Sequence, residues 1–416
     1  MFIGRERELA TLNKLYASDK FEFVVIYGRR RVGKTALISQ FIDDKNTIYF
    51  MGVESNAKQN LENFSKSILS YHTGMEAETS FLSFQAALEY VFKLSEKERI
   101  ILAIDEYPYV ARSSKSLAST IQLLIDQYKD TSKLMLILCG SSMSYMEDHV
   151  LAYKAPLYGR RTAQMKILPF DFEETCHYFK NFTDEEKAYV YGIVGGTPQY
   201  LLQMSDKLSI EDNIKNTFLN PNSALFEEPE NLLKQEVREP ALYNAIITAI
   251  ATGASRMSEI SGKVGESTNI CSAYVKNLIS LGIIEKETPY GERRPGKRFT
   301  RLRTICSASG IALCRKTIRS SPVALPTWPT SVSSRICPTI WARCLRKSAS
   351  NIFGSSFSPA NARWSFPLSA AGGATILRKS VRLKSIFLPN RIKTPLFSAS
   401  VNGRTRKSTS AFWKPL

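Results

Sequence analysis

Acidic residues are missing from the last part of this sequence. The chain has 416 residues and 38 Asp and Glu side chains, but none of these lies between 301 and 416. That segment holds 20 of the 56 Lys and Arg residues, so residues 1–300 carry a net charge of −2. At ordinary usage a segment of this length contains roughly 14 acidic residues. The net charge of +18 therefore comes from the tail, and does not by itself indicate that the protein binds nucleic acid.

Long apolar runs and paired cysteines are also missing. No apolar run reaches the roughly eighteen residues of a membrane-spanning helix, and the first residues, MFIGRERELATL, lack the apolar core of a signal peptide. Of the seven cysteines, the three in residues 1–300, which are Cys139, Cys176 and Cys271, follow no zinc or disulfide spacing. We therefore expect a cytoplasmic protein without membrane contact. Its 44% apolar composition is sufficient for two or three domains with cores of their own.

A glycine-rich loop is the strongest functional signal. Phe23–Tyr27 is a short apolar run, Thr35–Phe41 has helical spacing, and residues 28–35 between them read G-x-x-x-x-G-K-T. Such a loop curls its backbone N–H groups around phosphate oxygens, and the helix that follows adds partial positive charge. Lys34 would reach the β- and γ-phosphates and Thr35 would bind Mg²⁺. The predicted nucleotide-binding residues are Gly28, Arg29, Arg30, Arg31, Val32, Gly33, Lys34, Thr35 and Ala36. The three arginines fit either phosphate contacts or solvated loop positions, and we favour the latter.

Two further apolar runs end in polar residues. RIILAIDEYPYV places Asp105 where it would bind Mg²⁺ through water, and Glu106 where it would polarise the attacking water. KLMLILCGSSMSYM ends at Ser141 and Ser142; we expect Ser142 to sense the γ-phosphate, although a serine there also fits a helix cap. The next motif, PLYGRRT, holds Arg160 and Arg161. Either would offset transition-state charge, or form a structural salt bridge.

Together these motifs resemble a known family. The segments FIGRERELATL, YGRRRVGKTALI, DEYPYV, LCGSSMSYM, YGRRT, GGTPQYLL and LFEEPENLLKQEVREP are similar, in order, to prokaryotic AAA-related ATPases of the STAND type. The resemblance implies a P-loop ATPase core at 1–180, a helical lid at 181–235 and a winged helix-turn-helix at 236–300, with ATP and Mg²⁺ as cofactors. It also implies that Gly196 and Pro198 of the lid reach the nucleotide. Self-association through the ATPase domain is a further expectation.

Residues 236–300 have the pattern of three helices and a wing. Seven apolar residues predict a small core: Leu242, Ile246, Ile250, Ile260, Val275, Leu278 and Ile283. Ser267 and Thr268 are suited to cap the third helix. The predicted outward face of that helix offers Asn269, Ser272, Lys276 and Asn277, and the wing offers Arg293, Arg294, Lys297 and Arg298. With one cation on the helix, only weak DNA binding is expected, mainly from the wing to phosphates.

The tail at 301–416 has two interpretations. A Ser-, Pro- and Arg-rich segment without acids fits a disordered nucleic-acid-binding tail. However, it holds all four tryptophans, which are poor disorder formers. Alternatively it is translated out of frame. In one shifted frame ICSASGIALCRKT can read MFRFWYRFVPEN, Leu383–Leu388 can read EIDIL, and Ser398–Pro415 can read GECKWTNEKVDLGVLET. In that frame Trp413 before Lys414 requires a glutamate codon. The recovered EID and ECK stretches resemble a restriction-endonuclease-like core, which some members of the family carry. We favour a non-native, largely unstructured tail.

The whole sequence therefore predicts an α/β P-loop NTPase with a parallel sheet and a helical lid, followed by a winged-helix domain and the tail. Three functions follow in order of preference. The first is an ATP-binding and ATP-hydrolysing switch of the STAND type, the second is an ATP-liganded DNA-binding regulator, and the third is an inert product of a frameshifted gene.

Overall fold

The structure is a computed structural model of the full chain. It describes residues 2–73, 79–226, 239–287 and 299–302, five isolated positions between 227 and 238, and the short segments 381–382 and 398–399. Contacts divide the chain into two units, residues 1–322 and 323–416. Each unit is described by itself below.

The first unit is built on a parallel sheet of five strands. The strands are β1 (Glu22–Tyr27), β2 (Thr47–Met51), β3 (Ile100–Asp105), β4 (Leu134–Gly140) and β5 (Ala163–Lys166), in the order β2-β3-β4-β1-β5. Every residue of β1, β3 and β4 is buried. This explains why their sequences are uninterrupted apolar runs: both faces of a parallel sheet are covered by helices.

Helices lie on both faces of the sheet. They are α1 (Glu6–Tyr16), α2 (Lys34–Ile42), α3 (Ala57–Thr73), α4 (Phe84–Leu94), α5 (Tyr107–Ser113), α6 (Leu117–Tyr128) and α7 (Met143–Tyr145), the last continuing as a π-helix at Met146–Leu151. One core places α3, α4 and α6 against Phe23, Val25 and Leu102. The other places α1 and α2 against Val24 and Ile26. Alternate residues of β1 thus face opposite layers, as the strand geometry requires.

A group of helices with its own core follows the sheet. These helices are α8 (Phe172–Tyr178), α9 (Asp184–Val194), α10 (Pro198–Leu201) and α11 (Ile210–Ile214), the last continuing as a π-helix at Lys215–Leu219. Capping boxes start α8 and α9, with Asp171 and Thr183 as the N-caps. The first helix begins at Phe172, earlier than the 181 boundary drawn from the sequence. We use the name lid for the described residues from 170 to 228; the role that the name implies is the expectation from the sequence.

Three helices and two strands are described between residues 240 and 302 of the first unit. They are α12 (Pro240–Ala251), α13 (Met257–Val264), α14 (Thr268–Ser280) and the antiparallel pair β6 (Ile284–Glu287) and β7 (Phe299–Leu302). Six of the seven predicted core residues are buried, and Leu242 is partly buried. Ser267 caps α14 by accepting a hydrogen bond from the Ile270 N–H, as predicted. The four wing cations lie outside the described residues.

One residue of the predicted DNA-facing surface also forms a hydrogen bond within the three-helix segment. The side-chain amide of Asn277 donates to the hydroxyl of Tyr243 on α12, at 2.9 Å. Asn269, Ser272 and Lys276 are exposed on α14. Asn277 is exposed as well, so all four residues lie on the outward face that the sequence predicted. The bond from Asn277 to Tyr243 was not predicted, because the position of a residue on its own helix does not show which neighbouring side chain is within reach.

The second unit contains one described feature. Strands β8 (Val381–Arg382) and β9 (Ser398–Ala399) pair antiparallel. The remainder of the tail, including its four tryptophans, lies outside the described residues. Among the helices that are described anywhere in the chain, none is long and apolar enough to cross a bilayer.

Candidate nucleotide site

The glycine-rich loop connects β1 to α2 at the carboxyl edge of the sheet. Its backbone turns through left-handed conformations at Arg31 (φ 71°) and Gly33 (φ 86°). Only glycine adopts these angles without strain, so Arg31 carries a cost of about 1–3 kcal/mol. Gly28 is required for another reason: a Cβ there would lie 2.3 Å from the carbonyl oxygen of Ile167. The loop is therefore held tightly against the exit of β5.

Lys34 and Thr35 begin α2 directly after the loop. The Lys34 ammonium is buried and donates to the carbonyl oxygen of Arg29 at 3.0 Å, so it folds back over the loop. Val32 is fully buried and Ala36 is exposed. A buried ammonium bound by one carbonyl retains donors for an anion, and α2 directs its N-terminus to the same place. These residues fit a bound phosphate.

Asp105 ends β3 beside the loop and is completely buried. Its Oδ2 accepts hydrogen bonds from the hydroxyls of Thr35 (2.7 Å) and Tyr49 (3.0 Å), and its Oδ1 accepts one from the N–H of Glu106 (2.8 Å). In the described part of the chain these donors are all neutral. A buried carboxylate without a cation fits Mg²⁺, which takes one or two protein oxygens and completes its shell with water and phosphate. No cluster of three or more His, Cys, Asp or Glu is found among the described residues.

Glu106 follows Asp105 in a strained conformation. Its φ is 49°, in the left-handed region, at the N-cap of α5. Its Oε2 accepts hydrogen bonds from the Ser141 hydroxyl at 2.7 Å and from the Ser141 N–H at 3.4 Å. Strand order explains this contact, because β4, which ends just before Ser141, lies next to β3. The carboxylate is thereby held at the sheet edge, where a base would be needed.

The two predicted serine positions behave differently. Ser141, not Ser142, contacts the predicted base. Ser142 accepts a hydrogen bond from the Arg112 guanidinium at 3.3 Å. Ser141 is buried and Ser142 is partly exposed. Assignment of the γ-phosphate sensor to Ser142 remains a proposal.

Burial and charge keep two neighbouring groups neutral. Cys139 lies in the core beneath Asp105, and burial together with that carboxylate raises the pKa of its thiol. Burial and Asp105 also raise the pKa of Tyr49. Both groups therefore stay protonated at neutral pH, and Tyr49 remains a hydrogen-bond donor to Asp105.

The three loop arginines all have protein partners, and Arg29 is buried whereas Arg30 and Arg31 are partly exposed, which differs from the solvated positions favoured above. Arg29 is buried and donates to the Thr197 hydroxyl at 2.6 Å. Arg30 donates to the Tyr109 hydroxyl on α5 at 2.7 Å. Arg31 forms an ion pair with Glu228. Each arginine thus connects the loop to another segment, and the partners are far away in sequence, so the pattern of the loop alone could not reveal them.

One of the two predicted nucleotide contacts of the lid, Pro198, lies beside the loop. A Cβ on Gly33 would be 3.7 Å from Cγ of Pro198, so Pro198 flanks the loop. Gly196 is constrained from elsewhere: it has a φ of 71°, and a Cβ there would be 2.1 Å from the carbonyl oxygen of Phe170. The need for glycine at 196 comes from packing inside the lid. Direct contact of Gly196 and Pro198 with nucleotide stays a proposal.

Arg160 and Arg161 have protein partners. Arg160 forms a two-pronged pair with Asp126 of α6, at 2.9 and 2.6 Å. The Arg161 guanidinium lies 5.5 Å from the ring centroid of Tyr158, and its Nη1 is buried without a hydrogen bond. The pairing of Arg160 matches the salt-bridge alternative; a catalytic role for either arginine remains a proposal.

Arg5 is a loop contact that the sequence reasoning missed. Its backbone is left-handed (φ 67°), its side chain is buried, and its guanidinium lies 4.7 Å from the ring centroid of Phe170. It donates to the carbonyl oxygen of Val32 at 3.1 Å and to that of Leu168. Arg5 thus fastens the first residues of the chain to the loop. The only signal was its place in the FIGRERELATL motif.

Comparison with known proteins agrees with this geometry. Residues 2–204 match the ATPase_2 family, an ATPase domain found predominantly in Archaea. An uncharacterized protein of Methanocaldococcus jannaschii is 35% identical over 298 residues, which are 72% of this chain and 65% of that protein. The chain thus spans about two thirds of the length of this curated relative. An uncharacterized ATP-binding protein of the same organism is 44% identical over 45 residues, 11% of this chain and 76% of that protein.

A solved structure shares the fold. The Walker-type ATPase of Pyrococcus abyssi superposes with a TM-score of 0.56 and 19% identity, covering 75% of this chain and 96% of that chain. The parallel sheet, the loop and these matches show the α/β fold of P-loop ATPases in the front of the chain.

Proposed function

We propose that the protein binds MgATP at residues 28–36 and hydrolyses it slowly. The observation that carries this proposal is the convergence of Lys34, Thr35, Asp105 and Glu106 at one edge of the sheet, with Thr35 2.7 Å from Asp105. Lys34 and Thr35 come from the start of α2, and Asp105 and Glu106 come from the end of β3 and the position that follows it. Together they supply the cation, the hydroxyl and the carboxylates that phosphoryl transfer needs.

The roles of the residues follow from their contacts. Lys34 and the loop N–H groups bind the β- and γ-phosphates, while Thr35 and Asp105 hold Mg²⁺. When bound, Mg²⁺ neutralises charge on the phosphate oxygens. Glu106 accepts a proton from the attacking water, and Ser141 fixes the orientation of that carboxylate. Tyr49 fixes the orientation of Asp105.

Removal of the Lys34 ammonium tests the binding site. Lys34→Ala deletes the only lysine of the loop, so MgATP affinity should fall at least about tenfold, or ~1.4 kcal/mol. Equilibrium titration with a fluorescent ATP analogue measures this. Lys58→Ala is the matched control, because Lys58 is exposed and pairs only weakly with Glu62 at 4.0 Å. Equal affinity of Lys34→Ala and wild type would place the nucleotide elsewhere.

The finer proposal is a switch of the STAND type. Nucleotide state would change the arrangement of the lid and the 236–300 segment. Its support is the set of contacts from the loop arginines to the lid, through Thr197 and Glu228. These contacts give the lid a direct connection to the residues that bind phosphate.

DNA binding is the second candidate function. The helical arrangement of α12, α13 and α14 followed by the β6–β7 pair fits the predicted winged helix, and Lys276 is exposed on α14. The side-chain N–H of Asn277 is engaged by Tyr243, and Lys276 is the one cation among the four polar residues predicted to face DNA. We therefore expect phosphate contacts without sequence selectivity.

For the tail, we propose translation out of frame after about residue 300. The absence of acids from 301 to 416 is the observation that supports it. The match to the M. jannaschii protein extends over 298 residues and leaves about a third of that protein unmatched. This is the length expected if only the front of this chain is translated in the same frame as that protein. The nucleotide sequence of the gene tests this directly: an uninterrupted family-like frame through 301–416 would contradict it.

A further inference from the structure

Glu228 is a buried carboxylate that the nucleotide chemistry does not use. Its side chain is 2% exposed, and it lies in the lid segment that the sequence shows as LFEEPENLL. A buried charge is stable only when it is paired and hydrogen-bonded. Among the described residues it has two polar contacts, an ion pair with Arg31 and a hydrogen bond of 2.7 Å from the Tyr200 hydroxyl.

Arg31 is held by the lid through its backbone as well. The N–H of Gln199 points to the Arg31 carbonyl oxygen at 3.5 Å, and the Arg31 guanidinium lies 6.0 Å from the ring centroid of Tyr200. Arg31 also has the strained left-handed backbone of the loop. One loop residue thus makes three contacts with the lid, to Glu228, Gln199 and Tyr200.

The guanidinium of Arg31 has two competing partners, the Glu228 carboxylate and a bound phosphate. A triphosphate brought to the loop is a strong anion, and a guanidinium in the same loop is a preferred partner for it. If Arg31 turns to phosphate, Glu228 loses its counter-charge and retains only the Tyr200 hydroxyl. A carboxylate in that condition leaves its buried position for water.

We propose that Glu228 is a positioning residue of the phosphate loop, which holds Arg31 against the lid until a nucleotide phosphate competes for Arg31 and thereby releases the lid. This inference rests on the proposed nucleotide site, and it specifies how occupancy of that site reaches the lid. The arrangement described above, with Arg31 on Glu228, is the latched one.

Glu228→Gln in the full chain tests the latch. Glutamine keeps the size and an acceptor for Tyr200 but removes the charge. We expect MgAMP-PNP, a non-hydrolysable ATP analogue, to bind about tenfold more tightly than to wild type. Glu211→Gln is the matched control, because Glu211 is an exposed lid carboxylate paired with Lys215, and its affinity should equal that of wild type.

A double variant separates competition from general charge effects. In the Arg31→Gln background, adding Glu228→Gln should no longer tighten binding, because there is no guanidinium to release. Tightening of the same size in both backgrounds would mean that Glu228 only repels the anion through space, and would overturn the proposal. Unchanged or weaker binding by the single Glu228→Gln variant would overturn it as well.

Backbone hydrogen exchange measures directly whether the lid is released. Peptides covering 197–204 should exchange faster when MgAMP-PNP is added to wild type, and Glu228→Gln should exchange equally fast without it. If wild type binds no nucleotide but Glu228→Gln still speeds this exchange, the ATP site is wrong while the latch contact is real. Slow exchange in Glu228→Gln, with unfolding temperature as the check on folding, would show that Glu228 does not hold the lid.

Discussion

Asp105 and Glu106 are adjacent carboxylates with different surroundings. Asp105 is fully buried and receives three neutral donors, so it is arranged to meet a cation. Glu106 sits at the N-cap of α5 in a left-handed conformation, and accepts bonds from Ser141. Strain of about 1–3 kcal/mol persists only where surrounding contacts enforce it. At this position it accompanies the contact between the Glu106 carboxylate and Ser141, directly after β4.

Ser141→Ala tests whether that orientation matters. The variant removes a hydroxyl donor to a carboxylate, a bond worth about 1.5–3 kcal/mol, but leaves the longer N–H contact. Steady-state ATP turnover should fall roughly tenfold, with unchanged MgATP affinity. Ser142→Ala is the comparison, and we expect a smaller loss because Ser142 does not contact Glu106. If Ser142→Ala lost more ATP turnover than Ser141→Ala, the more important serine would be Ser142, the residue favoured from the sequence.

The sequence predicted local features of the site and missed the distant ones. Lys34 and Thr35 lie in one short motif and Asp105 and Glu106 in another, so the sequence alone named them as candidates. Ser141 was assigned only as a neighbour of Ser142, and Tyr49 was not assigned at all. Their contacts depend on β2 and β4 flanking β3, and strand order is a tertiary property that no single motif contains.

At the scale of elements, apolar runs located the strands well. VVIY, IILAI and LMLIL all fall within buried strands, because a strand covered on both faces has no polar side to interrupt the pattern. The edge strand β5 has the sequence AQMK, in which only Met165 is buried. Such a strand gives almost no signal, which explains why the sequence did not reveal it.

The α12–α14 segment should bind duplex DNA weakly. Lys276 is the predicted helical cation, and the wing cations would add phosphate contacts, so affinity should be micromolar or weaker and should fall steeply with salt. Fluorescence anisotropy with labelled duplexes at 50 and 200 mM salt measures this, with Lys276→Gln as the variant. Nanomolar binding to one sequence at physiological salt would show that base readout occurs after all.

At the scale of the whole molecule, residues 1–300 and the tail differ in composition. The front has near-balanced charge and several buried cores. A sequence read in the wrong frame has no reason to place apolar residues at a helix or strand period, so cooperative packing is not expected from it. Twenty cations without acids would add self-repulsion.

Limited proteolysis should therefore trim the full chain to a resistant fragment that ends near residue 300. The cleavage products can be located by mass spectrometry. The tail offers 20 Lys and Arg residues to trypsin, so early cuts should concentrate there. A protease-resistant fragment containing 301–416, with its tryptophans protected from quenching, would contradict the out-of-frame proposal.

Steady-state ATP turnover by wild type and Glu106→Gln is the most direct test of the central claim. Glutamine keeps the shape of the side chain but cannot accept the proton of the attacking water. Turnover should fall by about 10²–10⁴-fold, while titration should show MgATP affinity within about twofold of wild type. Turnover of Glu106→Gln at the wild-type rate would show that Glu106 is not the base, and that the ATPase mechanism proposed for this site is wrong.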